Sequence, residues 1–288
     1  MDNNTFSSIS FNSLEKQVWL ENISSIQNNY SASHYKPNIL LRFDEKLDVS
    51  ELYPMHLVTL ACLIQFFRDL NHKIFLAGSN DSFRNLIFDQ LNFKEYFSGG
   101  KNHVNSKQIT DFNFWRVVEP EKDLYAKNVE QYFKNTDFKG KDLSAISLSM
   151  VEAFYNIFDH AEANNNAFSL IKYNKSAEAL EIAICDLGKG ISKSVREHND
   201  KIEHDTDALL KAVEYGFTVQ SKNHNRGLGL DTIIACSEDI HIFCNQALLQ
   251  GKEKSVHKVP FHFSGTLIYF KILISSFENE EVIDSFEM

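Results

Sequence analysis

The stretch Leu180-Glu-Ile-Ala-Ile-Cys-Asp186-Leu-Gly188-Lys-Gly190 decides how the second half of this chain folds. Its first six residues are mostly apolar and predict a buried strand, and an acidic residue and two glycines follow at once. An Asp at the end of a buried strand can accept a hydrogen bond from an exocyclic amine, such as that of adenine. Glycines let the backbone pass close to a flat ring. Taken alone, the stretch also fits an ordinary strand-to-loop turn.

A long helix is predicted upstream, from about Leu143 to Ala163, and it carries a polar row beside its apolar stripe. Glu152, Asn156 and His160 are four residues apart, so they share one helix face. Such a row suits a hydrated Mg²⁺ ion, which takes oxygen ligands and keeps waters between protein and phosphate. A solvated helix face is the alternative interpretation of the same row.

Two further glycine motifs lie downstream. The stretch Asn225-Arg-Gly-Leu-Gly-Leu230 opens a predicted helix, whose free N–H groups would attract phosphate. Ser264-Gly-Thr266 enters the last apolar strand. A loop-to-helix joint and a plain β-turn are the alternatives for these two motifs, so neither motif identifies a function by itself.

Together, the order, spacing and predicted contexts of the four motifs resemble those of the GHKL ATPases over about residues 140–275. This superfamily includes gyrase, heat-shock chaperones, histidine kinases and MutL. The resemblance implies a Bergerat fold, which is an α/β sandwich with a mixed, largely antiparallel sheet covered by helices. It also implies ATP and Mg²⁺ as the cofactors.

The resemblance assigns a role to each matching residue. Glu152 would be the catalytic residue, Asn156 would hold Mg²⁺, and Asp186 would accept the adenine amine with support from Thr266 through a water. Residues 191–226 would form the ATP lid. The other implied nucleotide contacts are His160, Gly188, Gly190, Lys222, Arg226, Gly227, Leu228 and Gly229.

The first half of the chain alternates strand and helix patterns, which predicts a small α/β domain and an α+β protein overall. The stretch Leu47–Leu76 resembles a STAS domain, the docking domain of anti-sigma-factor antagonists. The predicted organisation is a polar segment (1–35), a STAS-like domain (36–125), a linker helix (126–142) and the ATP-binding domain (143–288). Strands are predicted at 39–43, 73–77, 112–118, 167–173, 180–185, 240–245 and 266–274.

The class of activity has two interpretations. The stretch GFTVQSKNHNRGLGL, residues 216–230, resembles the short lids of anti-sigma-factor kinases, which implies an ATPase or a Ser/Thr protein kinase in signalling. The alternative is a nucleotide-gated interaction protein with little turnover, in which ATP orders the lid and changes a surface for a protein partner. No predicted helix before the ATP-binding domain carries an acceptor His, which argues against a two-component histidine kinase.

Composition excludes several other classes. Twenty-nine Lys and Arg against 39 Asp and Glu give a net charge of −10, which argues against a broad nucleic-acid surface. The four cysteines form no CxxC pair, which argues against a zinc site or a disulfide framework. The N-terminus lacks the pattern of a signal peptide, and the longest apolar run, Leu57–Phe67, is too short to span a bilayer. We therefore expect a cytoplasmic protein without a membrane partner; a homodimer is left open.

Overall fold

The N-terminal half forms a small parallel sheet connected by helices. The computed structural model describes residues 5–30, 34–78, 81–98, 100–104, 106–107, 111–160, 167–214 and 229–280. The first elements are β1 (Phe6–Phe11), α1 (Lys16–Asn28), β2 (Asn38–Phe43), α2 (Pro54–Asp69) and β3 (Lys73–Gly78). Strand β2 lies between β1 and β3, and both pairings are parallel. Parallel neighbours need a crossover connection, which α1 and α2 supply.

The described part of the N-terminal segment belongs to this unit, where the sequence predicts only a polar segment over residues 1–35. In β1, Ile9 and Phe11 are buried while Ser8 and Ser10 are exposed, so the strand is half-buried in spite of its serines. In α1, Trp19 is buried and its indole N–H donates to Thr59 Oγ1 of α2 at 2.9 Å. The segment therefore completes the core of the first half.

Helix α2 is buried along most of its length, which leaves little of it as a docking surface. Pro54 opens the helix, where a missing N–H does no harm. His56 Nδ1 accepts the N–H of Tyr53 at 2.9 Å, and His56 Nε2 donates to the carbonyl of Leu14 at 2.9 Å. These two bonds require a neutral ring, and burial lowers the pKa of His56 to about 4.

A helical segment connects the first sheet to the second. Its elements are α3 (Asp81–Arg84), a π-helical stretch (Asn85–Gln90), α4 (Lys94–Phe97) and the short strand β4 (His103–Val104). The hydroxyl of Tyr96 donates to the carbonyl of Ala61 at 3.1 Å, which fixes the segment against α2. The helical stretch over residues 81–90 is thus α-helical in its first four residues and π-helical in the rest.

The second sheet has the strand order β4-β5-β6-β7-β9-β8, and its neighbouring strands pair antiparallel. Its longer strands are β5 (Asp111–Val117), β6 (Ala167–Asn174), β7 (Ala179–Cys185), β8 (Asp239–Gln250) and β9 (Ser255–Leu273). Strand β5 precedes the predicted domain boundary at residue 125, yet it pairs with β6. The regions predicted as separate domains, 36–125 and 143–288, therefore share this sheet.

The hairpin formed by β8 and β9 is much longer than predicted. The sequence pattern predicts strands only over 240–245 and 266–274, whereas pairing continues to the turn at Gly251–Lys254. Buried Val259, Phe261 and Phe263 alternate with exposed residues. This period of two is the sequence signal that predicts the extension.

Helices cover both faces of the second sheet. Those that follow β5 in the chain are α5 (Lys122–Thr136), α6 (Ser144–His160), α7 (Ile191–His198), α8 (Asp205–Ala212) and α9 (Gly229–Cys236). They share one apolar core with Ile182 and Ile184 of β7, while Ala183 and Cys185 face a second core that includes α1 and α2. Because successive side chains of a strand alternate between faces, β7 is buried on both sides.

The fold is therefore mixed α and β, with an antiparallel sheet covered by helices, as the sequence predicts at this coarse level. The layers follow the order parallel sheet, helices α1 and α2, antiparallel sheet, and helices α5 to α9. Within the described ranges, none of the helices combines the length and the apolar character that crossing a membrane requires.

Candidate nucleotide-binding site

Strands β7 and β9 bring two of the sequence motifs into contact. The strands are antiparallel neighbours in the sheet, with Cys185 opposite Leu267. Asp186, which follows Cys185, therefore lies opposite Thr266, which precedes Leu267. The N–H of Asp186 donates to the carbonyl of Thr266 at 3.0 Å, and the N–H of Thr266 donates to the Asp186 carboxylate at 3.0 Å. Asp186 and Thr266, which are 80 residues apart, thus form one site.

The carboxylate of Asp186 is fully buried and held by two backbone donors. Oδ2 accepts the N–H of Thr266, and Oδ1 accepts the N–H of Gly188 at 2.5 Å. Burial disfavours the charged form, whereas the two N–H donors favour it. Burial has the larger effect and raises the pKa of Asp186 to about 7. A carboxylate offers about four acceptor positions, so this one retains capacity for a ligand donor.

Thr266 contacts Asp186 directly through its backbone, where the resemblance implies a water between the two residues. The Thr266 hydroxyl oxygen instead accepts the N–H of Ile191, the first residue of α7, at 3.2 Å. The difference arises because β9 runs beside β7, which leaves the two backbones at hydrogen-bond distance. The side chain of Thr266 therefore holds the start of a helix.

The start of α7 is held by two further residues, Cys244 and Asn245, which are not among the predicted site residues. The N–H of Ser192 donates to Cys244 Sγ at 3.1 Å, and the N–H of Lys193 donates to Asn245 Oδ1 at 3.0 Å. A helix leaves its first N–H groups without partners inside the helix, and β8 supplies acceptors for two of them here. No local sequence pattern connects residues of β8 with α7, because these contacts arise from tertiary packing.

Two glycines are required where the loops meet. Gly190 has a φ of +82°, and an added Cβ would lie 2.7 Å from the carbonyl oxygen of Gly265. Gly265 has a φ of +95°, and its Cβ would lie 2.2 Å from the carbonyl oxygen of Asp186 and 2.7 Å from the Cα of Leu187. These separations are far below van der Waals contact with backbone atoms. Only glycine fits both positions.

The polar row predicted on α6 lies on a helix that packs against α7 and α9. Glu152 and Asn156 are partly buried, and Asn156 Nδ2 donates to the Glu152 carbonyl at 2.7 Å. Because Nδ2 bonds to the helix itself, Oδ1 of Asn156 is the atom suited to an oxygen-seeking cation. Burial raises the pKa of Glu152. Because α6 packs against α7, the row belongs to a helix next to the one that follows Gly190. His160 is the last residue of α6.

The first part of the predicted lid is packed against the core. Helices α7 and α8 occupy most of residues 191–214 and bury Ile191, Val195 and Leu209 in the core beneath the sheet. Apolar side chains at helical spacing cause this packing, so the first part of the predicted lid, 191–226, belongs to the folded core. Gly229 is the first residue of α9. The predicted contacts Lys222, Arg226, Gly227 and Leu228 lie outside the described residues.

Comparison with known proteins gives no further assignment for this arrangement. No protein-family model matches the chain, and no curated protein matches it. The resemblance to GHKL ATPases and the STAS-like likeness of the first half therefore stay predictions. The contacts around Asp186, Gly190 and Thr266 are the observations on which a functional proposal depends.

Proposed function

We propose that this protein binds ATP beside the carboxylate of Asp186, in the manner of a GHKL ATPase. The observation that supports this proposal is a buried carboxylate at the end of β7, held by the N–H groups of Gly188 and Thr266 and bordered by two glycines that bring the backbones close. Such a carboxylate can accept the exocyclic amine of adenine. At the same position guanine carries a carbonyl oxygen, which would face the carboxylate unfavourably.

The phosphates and Mg²⁺ would lie toward α6 and α9. Asn156 Oδ1 would hold the cation, because a Mg²⁺ ion prefers oxygen ligands and shares them with phosphate and water. The N-terminus of α9 at Gly229 would face phosphate, since helix N-termini attract anions. When bound, Mg²⁺ would neutralise phosphate charge.

Glu152 is the proposed catalytic residue. Its side chain is half-buried, and burial raises its pKa, which makes the ionised form a better proton acceptor than an ordinary surface carboxylate. It would take a proton from water in an ATPase or from a hydroxyl in a Ser/Thr kinase. We favour such an ATP-driven signalling enzyme over a passive nucleotide-gated switch because of this burial.

Calorimetry with Mg-ATP and Mg-GTP tests the proposed binding. We expect Mg-ATP to bind at least about tenfold more tightly than Mg-GTP, because the carboxylate accepts an amine and repels a carbonyl. Equal affinities, or no binding of either nucleotide, would contradict the assignment of Asp186 as the adenine contact.

Turnover is tested separately with Glu152→Gln, which preserves the size of the side chain and removes the base. We expect phosphate release or phosphotransfer to fall by about 10²-fold or more, while affinity for Mg-ATP changes little. Glu21→Gln, on the exposed side of α1, is the matched control and should behave as the wild type. ATP binding without turnover in the wild type would refute the enzyme and favour the nucleotide-gated switch.

A further inference from the structure

Asn245 lies at an irregular point of β8 and reaches across to the loop that follows Asp186. Its pairing with β9 shifts register on both sides of the residue. Its φ is +52°, a left-handed conformation that Asn tolerates better than most residues do. The side chain is almost completely buried, with 1% of the residue exposed. A buried amide must find hydrogen-bond partners, and this one finds them in Lys189 of the loop, Lys193 of α7 and the neighbouring Cys244 thiol.

The amide of Asn245 bridges the two sides of Gly190. Oδ1 accepts the N–H of Lys193 at 3.0 Å, and Nδ2 donates to the carbonyl of Lys189 at 3.0 Å. Because one partner is a donor and the other an acceptor, the orientation of the amide is fixed. A Cβ on Gly190 would lie 2.9 Å from Asn245 Oδ1, so the amide also contacts the glycine closely.

This bridge restrains the part of the loop that has the most conformational freedom. Glycine at a positive φ populates many other conformations, so a loop with Gly188 and Gly190 loses much entropy when it is fixed. A binding loop that is already held in one conformation avoids this loss when the ligand binds. Thr266 holds Ile191 from β9, and Asn245 holds Lys189 and Lys193 from β8.

We propose that Asn245 is a positioning residue for nucleotide binding, which fixes the Gly188–Gly190 backbone against Asp186 without contacting the ligand. This inference rests on the proposed function, because the loop is the one assigned to the adenine base. It predicts that the side chain of Asn245 contributes to the affinity for ATP.

Two substitutions change the side-chain hydrogen bonds of Asn245 without adding strain to its backbone conformation. Asn245→Gly tolerates the positive φ and removes both hydrogen bonds. Asn245→Asp keeps the size and the acceptor for Lys193 but turns an oxygen toward the Lys189 carbonyl. Asn71→Gly is the matched control, since Asn71 also has a positive φ, of 63°, and is exposed at the end of α2.

The measurements are Mg-ATP affinity by calorimetry, unfolding temperature, and hydrogen exchange at the amides of residues 188–193. We expect Asn245→Gly and Asn245→Asp to weaken Mg-ATP binding by about tenfold, equal to about 1.4 kcal/mol. We expect faster exchange at Gly188 in both variants and at Lys193 in Asn245→Gly. Asn71→Gly should match the wild type in affinity and in exchange at these positions.

The outcomes distinguish this inference from the proposed function. A folded Asn245→Gly protein with wild-type affinity for ATP overturns the positioning role, even if its unfolding temperature falls. If Asn245→Gly does not fold, the Mg-ATP affinity of Asn245→Asp is compared with that of the wild type instead, and an unchanged affinity again overturns the positioning role. If the wild type binds no adenine nucleotide, the proposed function fails, and unchanged exchange at residues 188–193 in the variants would then also refute the restraint of the loop.

Discussion

Acidification is expected to weaken the binding of ATP to this protein through the carboxylate of Asp186. Burial raises the pKa of this group to about 7. The ionised form is an acceptor only, whereas the protonated form carries a hydrogen that would oppose the adenine amine. If adenine requires the ionised form, its affinity must follow the ionised fraction of Asp186.

The size of the effect follows from that pKa. The ionised fraction falls from about nine-tenths at pH 8 to about three-hundredths at pH 5.5, so affinity should fall by about 30-fold, or about 2 kcal/mol. This pH dependence of the ATP affinity is a consequence of the burial of Asp186. A carboxyl with its ordinary pKa near 3.8 would stay ionised from pH 8 to pH 5.5, and the affinity would not change.

Calorimetry of Mg-ADP binding at several pH values measures the effect, and buffers with different ionisation enthalpies report the proton released on binding. Asp186→Asn is the control, because the amide does not titrate and any remaining pH dependence comes from the nucleotide phosphates or other groups. The substitution should also weaken binding at pH 8 by about 10- to 100-fold, since it removes a charge-assisted acceptor.

Two results would refute the role of Asp186 in adenine binding. In the first, the nucleotide affinity of the wild type changes with pH no more than the affinity of Asp186→Asn does. This result would show that Asp186 does not contact the adenine base. The second, a stronger affinity at low pH, would also contradict this role, because it would require the protonated carboxyl to be the binding form.

Three further predictions concern the fold. Gly265→Ala should lower the free energy of unfolding by about 2–6 kcal/mol, because a Cβ there meets the backbone of Asp186 and strains a positive φ; denaturation in urea measures it, and a loss below 1 kcal/mol would count against this geometry. Burial lowers the pKa of His56, so the neutral ring stabilises the fold above pH 6.5 and this stabilisation is lost as the pH falls toward 4. Between pH 7 and pH 4, the free energy of unfolding of the wild type should fall by about 3 kcal/mol more than that of His56→Gln, as measured by urea denaturation at each pH. Equal losses in the two proteins would contradict a buried neutral ring. Trp19→Phe removes the hydrogen bond to Thr59 and should cost about 1–2 kcal/mol, read from the urea midpoint; no change would show that this contact contributes little.

Much of the secondary structure could be predicted from local patterns. The strand that ends before Asp186 was predicted because a run of apolar residues followed by Asp and Gly has few other interpretations. Helix α6 was predicted from apolar residues at helical spacing. The hairpin extension at Val259–Phe263 has a period of two but lies outside the predicted strands, and the eight residues of α7 lie within the predicted lid.

The candidate site was predictable only in part. The glycines at 188 and 190 and the Gly-Thr pair at 265–266 were found as separate motifs, since each is a short string of residues. Asn245 was not found, because an Asn inside a strand resembles many others until its partners are known. The direct bond between Thr266 and Asp186 likewise depends on the neighbouring positions of β7 and β9.

By itself, the sequence determined the strand that ends before Asp186, helix α6 and the glycines that allow close approach, because these properties depend on near neighbours in the chain. Only the tertiary structure decided that α1 and α2 cover the antiparallel sheet, that β5 crosses the predicted boundary, and that Gly265 contacts the backbone of Asp186. Those contacts join residues far apart along the chain, and their energies come from burial and hydrogen bonds that exist only once the layers have packed together.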